Sequence, residues 1–316
     1  MKRTIYFADL NYVNPNQEWT IIPFPLNVGF IAAYTLKMLS EAFDVRIFKD
    51  PTKFLTAITE GAPDVVAFSN YIWNQNLSLE FAKHLKQLHP SCLTVMGGPN
   101  YNFTELEWVE KFARDNTAVD IHIEGEGEVK FYNLMACCIE HDFVIEAVKA
   151  ASPAGAAYID PRSDRFVANL KLDEPGTWMC LQDHKIDFAR GRLLDLDDVP
   201  SPYLLGLFDE FLADPDYCPI IETNRGCPYS CTFCNWGAMG KSKSAMFSLE
   251  RVTKELRFIA ERNVSTTPYL YVGDANFGLF PRDVEIAQLL RELKNNRKFP
   301  QNVYMYFAKN SSEKVV

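Results

Sequence analysis

No stretch of this chain approaches the roughly 18 to 20 consecutive apolar residues that a membrane span requires. No apolar run follows the two basic residues of the opening MKRTIYFADL, so a signal peptide is not expected either. Positive charge is short: 32 Lys and Arg against 41 Asp and Glu give a formal net charge of -9. Nucleic-acid binding calls for a basic face, so nucleic acid is not an expected partner. Internal repeats and low-complexity tracts are absent. These absences leave a cytoplasmic protein with no membrane association as the expectation.

What is present is a chain of 316 residues, 47% of them hydrophobic, enough for one large or two ordinary domains. Strand and helix patterns alternate through the first half. Apolar, β-branched runs at 4–10, 44–50, 64–73, 92–100 and 119–127 are separated by helical periodicity at 26–43, 52–62, 76–90, 105–116 and 128–142. Five such steps predict an α/β fold, a doubly wound Rossmann-like parallel sheet over residues 1–143. Ligands on such sheets bind outside the carboxyl ends of the strands. Residues 144–216 are less regular. They read as a hairpin around Pro161–Asp164, then a segment with acids and two prolines that looks like a surface linker. A second α/β run fills 217–316, with strands at 218–224, 269–278 and 302–310. Three strand–helix steps cannot close a barrel, and the last strand would be a raw edge. A partial, truncated (β/α) barrel is therefore expected, with a small, open second domain as the other reading.

Eight cysteines are present, and three lie within NRGCPYSCTFCNWG: Cys227, Cys231 and Cys234, spaced C-x3-C-x2-C. In a long chain without secretory features, clustered cysteines read as metal ligands or redox groups. Structural zinc is normally closed by four ligands, and Cys218 is a candidate fourth. A zinc ribbon, however, needs a second C-x2-C unit, and this sequence has none. A 4Fe–4S cluster on three cysteines keeps one iron open. Cys92, Cys137, Cys138, Cys180 and Cys218 are scattered and read as small buried hydrophobes.

A C-x3-C-x2-C loop after a strand resembles that of the radical S-adenosylmethionine (SAM) superfamily. The resemblance makes Cys227, Cys231 and Cys234 the ligands of a 4Fe–4S cluster. Phe233 matches the family aromatic near the SAM adenine. YVGDANFG (271–278) stands where the family has its SAM amino-group motif, so Gly273 and Asp274 fit that role. A carboxylate suits an ammonium, and glycine permits close backbone approach. A plain strand-to-helix turn with an Asp cap is the other reading. Asn276 is a further candidate, and Lys309 and Asn310 end the next strand on the same rim.

With an α/β domain ahead of the loop, the chain is similar to the radical SAM enzymes that carry a cobalamin-binding domain. Their double-glycine turn matches Gly97 and Gly98, where the cobalamin tail would come close. Ser69 matches the family serine of Ser-x-Leu in part, since Tyr71 replaces the leucine. EGEGE (124–128) matches the turn after the fifth strand. Asp120 to Gly125 spells D-x-H-x-x-G, the lower-ligand motif of other cobalamin proteins, but on the fifth strand instead of after the first. His122 is therefore read as a satisfied strand residue. After the first strand, DLNYVNPNQEW has no histidine, so cobalamin would bind without a histidine on its lower face.

The resemblance implies SAM, a 4Fe–4S cluster and cobalamin as cofactors, and methyl transfer to an unactivated carbon or phosphorus. One SAM would methylate cob(I)alamin, and a second would give the radical that activates the substrate. An electron donor such as flavodoxin or ferredoxin is implied. The substrate, a small molecule or peptide, is not given. Two alternatives stand: a radical SAM enzyme without functional cobalamin, and a non-catalytic fragment that holds cobalamin or cluster.

Overall fold

The computed structural model describes residues 2–12, 22–170, 186–187, 191–229, 231, 234, 244–264 and 268–309. The chain forms two compact units, Met1–Glu18 with Asn27–Leu193, and Trp19–Leu26 with Leu194–Val316.

The first unit alternates β1 (Arg3–Ala8), α1 (Leu26–Leu39), β3 (Phe43–Phe48), α2 (Pro51–Glu60), β4 (Val65–Ser69), α3 (Gln75–Leu88), β5 (Leu93–Gly97), α4 (Leu106–Asp115), β6 (Ile121–Ile123) and α5 (Glu128–Glu140). A short strand β2 (Ile22–Pro23) between β1 and α1 belongs to the second unit. Then come α6 (Ile145–Ala151), β7 (Ala156–Ile159) and β8 (Phe166–Asn169). One sheet runs β3-β1-β4-β5-β6-β7-β8. Its first five strands are parallel, β7 runs antiparallel to β6, and β8 antiparallel to β7. The expected doubly wound sheet is thus present. The hairpin around Pro161–Asp164 extends this same sheet. The order reverses at β1, so right-handed crossovers place α1 and α3 on opposite faces. The central strands are apolar because both faces are covered, and all five residues of β4, VVAFS, are buried, whereas edge strand β3, FDVRIF, exposes Asp44 and Arg46. Phe54, Phe48 and Phe68 anchor one core, each contributing about 1.5–3 kcal/mol by burial. Asp50 starts α2 by accepting from the amides of Thr52 and Lys53, with Pro51 in the first turn. A small ribbon, β9 (Ile186–Asp187) with β10 (Arg192–Leu193), closes the unit.

In the second unit β2 pairs in parallel with β11 (Tyr217–Cys218). A parallel sheet is formed by β12 (Ile220–Ile221), β15 (Tyr269–Val272) and β16 (Asn302–Tyr304). Between β12 and β15 lie a ribbon, β13 (Asn224–Arg225) with β14 (Ala245–Met246), and the helix α8 (Leu249–Arg262). Helix α7 (Asp209–Leu212) precedes β11, and α9 (Arg282–Arg297) joins β15 to β16. Ser248 caps α8 by accepting from Arg251 N at 3.1 Å. Among the described residues this sheet stays open, and no closed barrel forms. The segment read as a surface linker instead builds core. Tyr203 and Phe208 are fully buried, and their rings pack on Phe24 with Phe211 and Tyr217 nearby. The acids and prolines suggested an exposed strap, but the aromatic spacing at 203, 208 and 211 decides its fate by burial.

Candidate cofactor sites

In the first unit, sheet register brings two predicted residues side by side: Ser69 on β4 is the partner of Gly97 on β5. Asn70 N donates to Gly97 O at 2.7 Å. Gly98 has φ +144, and a Cβ there would lie 2.5 Å from the carbonyl oxygen of Asn70. The residue that demands glycine is therefore the chain's own Asn70, whatever else approaches the turn. Gly97 is less constrained, since its Cβ would meet Ile123 at 3.4 Å. Asn70 is fully buried, and its Nδ2 has no hydrogen-bond partner.

Ser69 is 2% exposed. Its hydroxyl donates to Asp9 Oδ1 at 2.5 Å and accepts from Asn74 Nδ2 at 2.8 Å. Asp9 also binds Lys49 Nζ at 2.7 Å, both side chains nearly inaccessible. Removing one member of such a buried pair leaves a bare charge, a loss of about 3–5 kcal/mol. Beyond Asn70 the chain turns outward. Ile72 and Trp73 are exposed at 82% and 55%, and the Trp73 ring stacks on Tyr71 at 4.5 Å. Sequence reasoning missed Asp9, Lys49 and Asn70. Their signal was only polar residues at the ends of three apolar strands.

His122 is buried, with Nδ1 2.6 Å from the Tyr101 hydroxyl. Its Nε2 has no partner, so the expected satisfied residue is satisfied at one nitrogen only. Burial lowers its pKa to about 3, keeping it neutral. Among the described cysteines outside the loop, Cys92, Cys138 and Cys218 are buried and Cys137 is half-buried. Burial raises the Cys92 thiol to about 12 and Cys137 to about 11. Cys180 lies outside the described residues.

In the second unit the cysteine loop is tied at its base. The β13–β14 ribbon pairs Asn224 with Met246 and Arg225 with Ala245 on either side of it. Gly226, with φ +93, turns the chain into Cys227. Asp274 is fully buried. One carboxylate oxygen accepts from the amides of Thr223 and Asn224 at 2.6 and 3.2 Å. The other accepts from the Thr223 hydroxyl and, at 2.7 Å, from Asn224 Nδ2. Four donors match the four acceptor sites of a carboxylate. Burial raises Asp274 to about 6, against the pull of the Thr223 and Asn224 donors. Gly273 continues the ladder, donating to Ile221 O at 2.7 Å.

Two side chains from neighbouring strand ends reach the cysteines. Asn276 Nδ2 donates to Cys227 Sγ at 3.0 Å, and Lys309 Nζ to Cys231 Sγ at 2.9 Å. Lys309 also sits 5.6 Å over the Tyr229 ring. Cys227 is buried, Cys231 and Cys234 are half-buried, and Cys234 N donates to Cys231 O at 3.2 Å. Among the described residues no three His, Cys, Asp or Glu side chains are gathered closely enough to hold a metal ion. Cys218, the alternative fourth ligand, aims its thiol at the Tyr269 carbonyl, 3.0 Å away, at the start of β15. The loop and Gly273 lie at the other end of that strand. The donor set at the loop is thus three thiols with N–H donors behind two of them. That chemistry fits an iron–sulfur cluster better than a closed zinc site. Phe233 and Asn310 lie outside the described residues.

A family model described as the B12 binding domain matches residues 25–135. The cobalamin-dependent radical SAM methyltransferase TokK of Streptomyces tokunonensis is 33% identical over 325 residues, 99% of this chain and 41% of that protein. The 2-(S-pantetheinyl)-carbapenam-3-carboxylate methyltransferase of Streptantibioticus cattleyicolor is 32% identical over 326 residues, again 99% and 41%. The chain spans well under half the length of these relatives. Among solved structures, the cobalamin-dependent S-adenosylmethionine radical enzyme OxsB, with aqua-cobalamin and S-adenosylmethionine bound, matches with a TM-score of 0.61. That match covers 96% of this chain and 38% of that one at 17% identity, a likeness of fold.

Proposed function

We infer, for a chain that belongs to the radical SAM enzymes carrying a cobalamin-binding domain, a division of labour between its two units. The first holds cobalamin at the ends of β4 and β5, with Ser69, Gly97 and Gly98 around its tail. The second holds a 4Fe–4S cluster on Cys227, Cys231 and Cys234, with SAM beside it and Phe233 at the adenine. Together they serve methyl transfer to an unactivated carbon or phosphorus centre of a small molecule or peptide. When bound, the cluster supplies an open iron and one electron for SAM cleavage, and cobalamin supplies the methyl carrier.

The chain's own residues prepare both places. Buried Asn70, whose amide faces the Tyr101 hydroxyl without a hydrogen bond of ordinary geometry, backs the Gly98 turn where the polar tail of cobalamin would lie. Exposed Ile72 and Trp73 give the same strand end an apolar platform for a flat macrocycle. Asp274 holds Thr223 and Asn224, and so fixes where the cysteine loop begins. In this reading Gly273 and Asp274 keep the place of the amino-group motif, with Asp274 acting through the backbone it binds. A one-electron donor of flavodoxin or ferredoxin type supplies the electron. Among the described residues no helix is long and apolar enough to cross a membrane, and a reducing cytoplasm would keep the described cysteines as the free thiols they are.

The observation that carries this reading is the three-cysteine loop at a strand end, with an amide and an ammonium behind two of its sulfurs. Its test is electron paramagnetic resonance of the reduced, iron-reconstituted chain, with and without SAM. A cluster signal that changes on SAM addition supports an open iron. A signal indifferent to SAM overturns the SAM site, and zinc in place of iron overturns the cluster.

A further inference from the structure

The amide of Asn276 ends on a sulfur and is held there by a stiff frame. Asn276 and Cys227 are 7% and 9% exposed, and the Nδ2–Sγ distance is 3.0 Å. Past the ends of β15 and β16 the two segments meet again in an isolated bridge between Phe277 and Phe307, directly after Asn276. Phe277 N donates to Tyr306 O at 2.8 Å, and Ala308 N to Phe277 O at 2.9 Å. Two residues before Asn276, Asp274 is fixed by four donors. A side chain on such a frame presents its N–H in one direction.

We propose that Asn276 is a positioning residue of the cluster site: its amide donates to the Cys227 sulfur and raises the reduction potential of the cluster that sulfur ligates. The physical reason is charge. Reduction adds an electron that is partly shared by the ligand sulfurs, and an N–H dipole aimed at a sulfur stabilises that added charge. A buried dipole acts at low local dielectric. The Lys309 ammonium beside Cys231 is exposed, so water and salt screen it. Of the two donors, the neutral buried one therefore has the larger effect. This inference rests on the cluster reading of the cysteine loop.

The experiment uses the 316-residue chain, reconstituted without oxygen with iron and sulfide, as wild type, Asn276→Leu and Asn276→Ala. The midpoint potential is measured by a mediated titration followed by electron paramagnetic resonance. Both variants are expected to load iron as the wild type does. Their potentials are expected to move negative by about tenfold in the reduction equilibrium, ~59 mV for one electron. The iron–sulfur stretching bands in resonance Raman spectra should shift with them. Unchanged potentials at full iron loading would overturn the proposal. So would failure of both variants to load beside a loaded wild type, which would make Asn276 only a support for the loop. A wild type that takes up no iron removes the cluster reading itself, so the two failures are distinct.

Discussion

Two strand-end turns, one in each unit, look alike in sequence and differ in what they close on. Gly97–Gly98 follows β5, and Gly273–Asp274 follows β15. At the first, the chain's own Asn70 carbonyl excludes a side chain from Gly98, and the buried Asn70 amide faces the Tyr101 hydroxyl without a hydrogen bond of ordinary geometry. At the second, four donors from Thr223 and Asn224 fill the acid completely. The polar group there that reaches the cysteine loop is buried Asn276, whose amide donates to the Cys227 sulfur. A glycine or an acid at a strand end says that something comes close. Whether that is a ligand or the chain itself is decided by which donors and acceptors remain.

The largest way to break the comparison is Cys231→Ala. Iron should fall from about four per chain to near zero by metal analysis, with corrinoid retention by the first unit unchanged. Iron lost together with corrinoid would mean that the two sites do not divide as proposed. The next effect belongs to Asp274. Its carboxyl titrates near 6 in the folded chain, above its ordinary 3.8. A carboxyl raised on folding binds its proton more tightly in the native state. Its stabilising contribution is therefore complete below about 4 and is lost as pH rises through about 6, roughly 3 kcal/mol in all. Urea unfolding of wild type and Asp274→Asn across that window should differ by this slope. Equal pH profiles would count against a buried acid there.

Smaller effects sharpen the contrast between the glycines. Gly98→Ala places a methyl against the Asn70 carbonyl at a φ that only glycine adopts freely, and should cost at least about 2 kcal/mol in chemical denaturation. Gly273→Ala meets Ile221 O at an ordinary 3.4 Å and should cost under about 1 kcal/mol. Similar losses at the two positions would remove the difference. Smallest of all, Lys309→Gln should lower the cluster potential only slightly, and less at high salt.

Much of this was legible. The alternation of apolar runs with helical periodicity located the parallel sheet, since buried strands such as VVAFS have no polar face to blur the period. The cysteine spacing located the loop. Strand ends were overextended: β15 stops at Val272 and β16 at Tyr304. Beyond those points the two segments meet only through an isolated bridge between Phe277 and Phe307. Helix α6 was missed because seven residues carry little periodicity. The buried core at 203–211 was read as linker, its prolines and acids outweighing its aromatics. Hydrogen-bond partners separated by 51 residues, such as Thr223 and Asp274, leave no periodic trace at all.

The most direct test is the stoichiometry of the anaerobically purified chain after reconstitution with iron, sulfide and hydroxocobalamin. We predict about four irons and one corrinoid per chain, with iron alone lost in Cys231→Ala. Iron without corrinoid would contradict the role given to the Ser69–Gly98 strand end, and zinc without iron would contradict the role given to the cysteine loop.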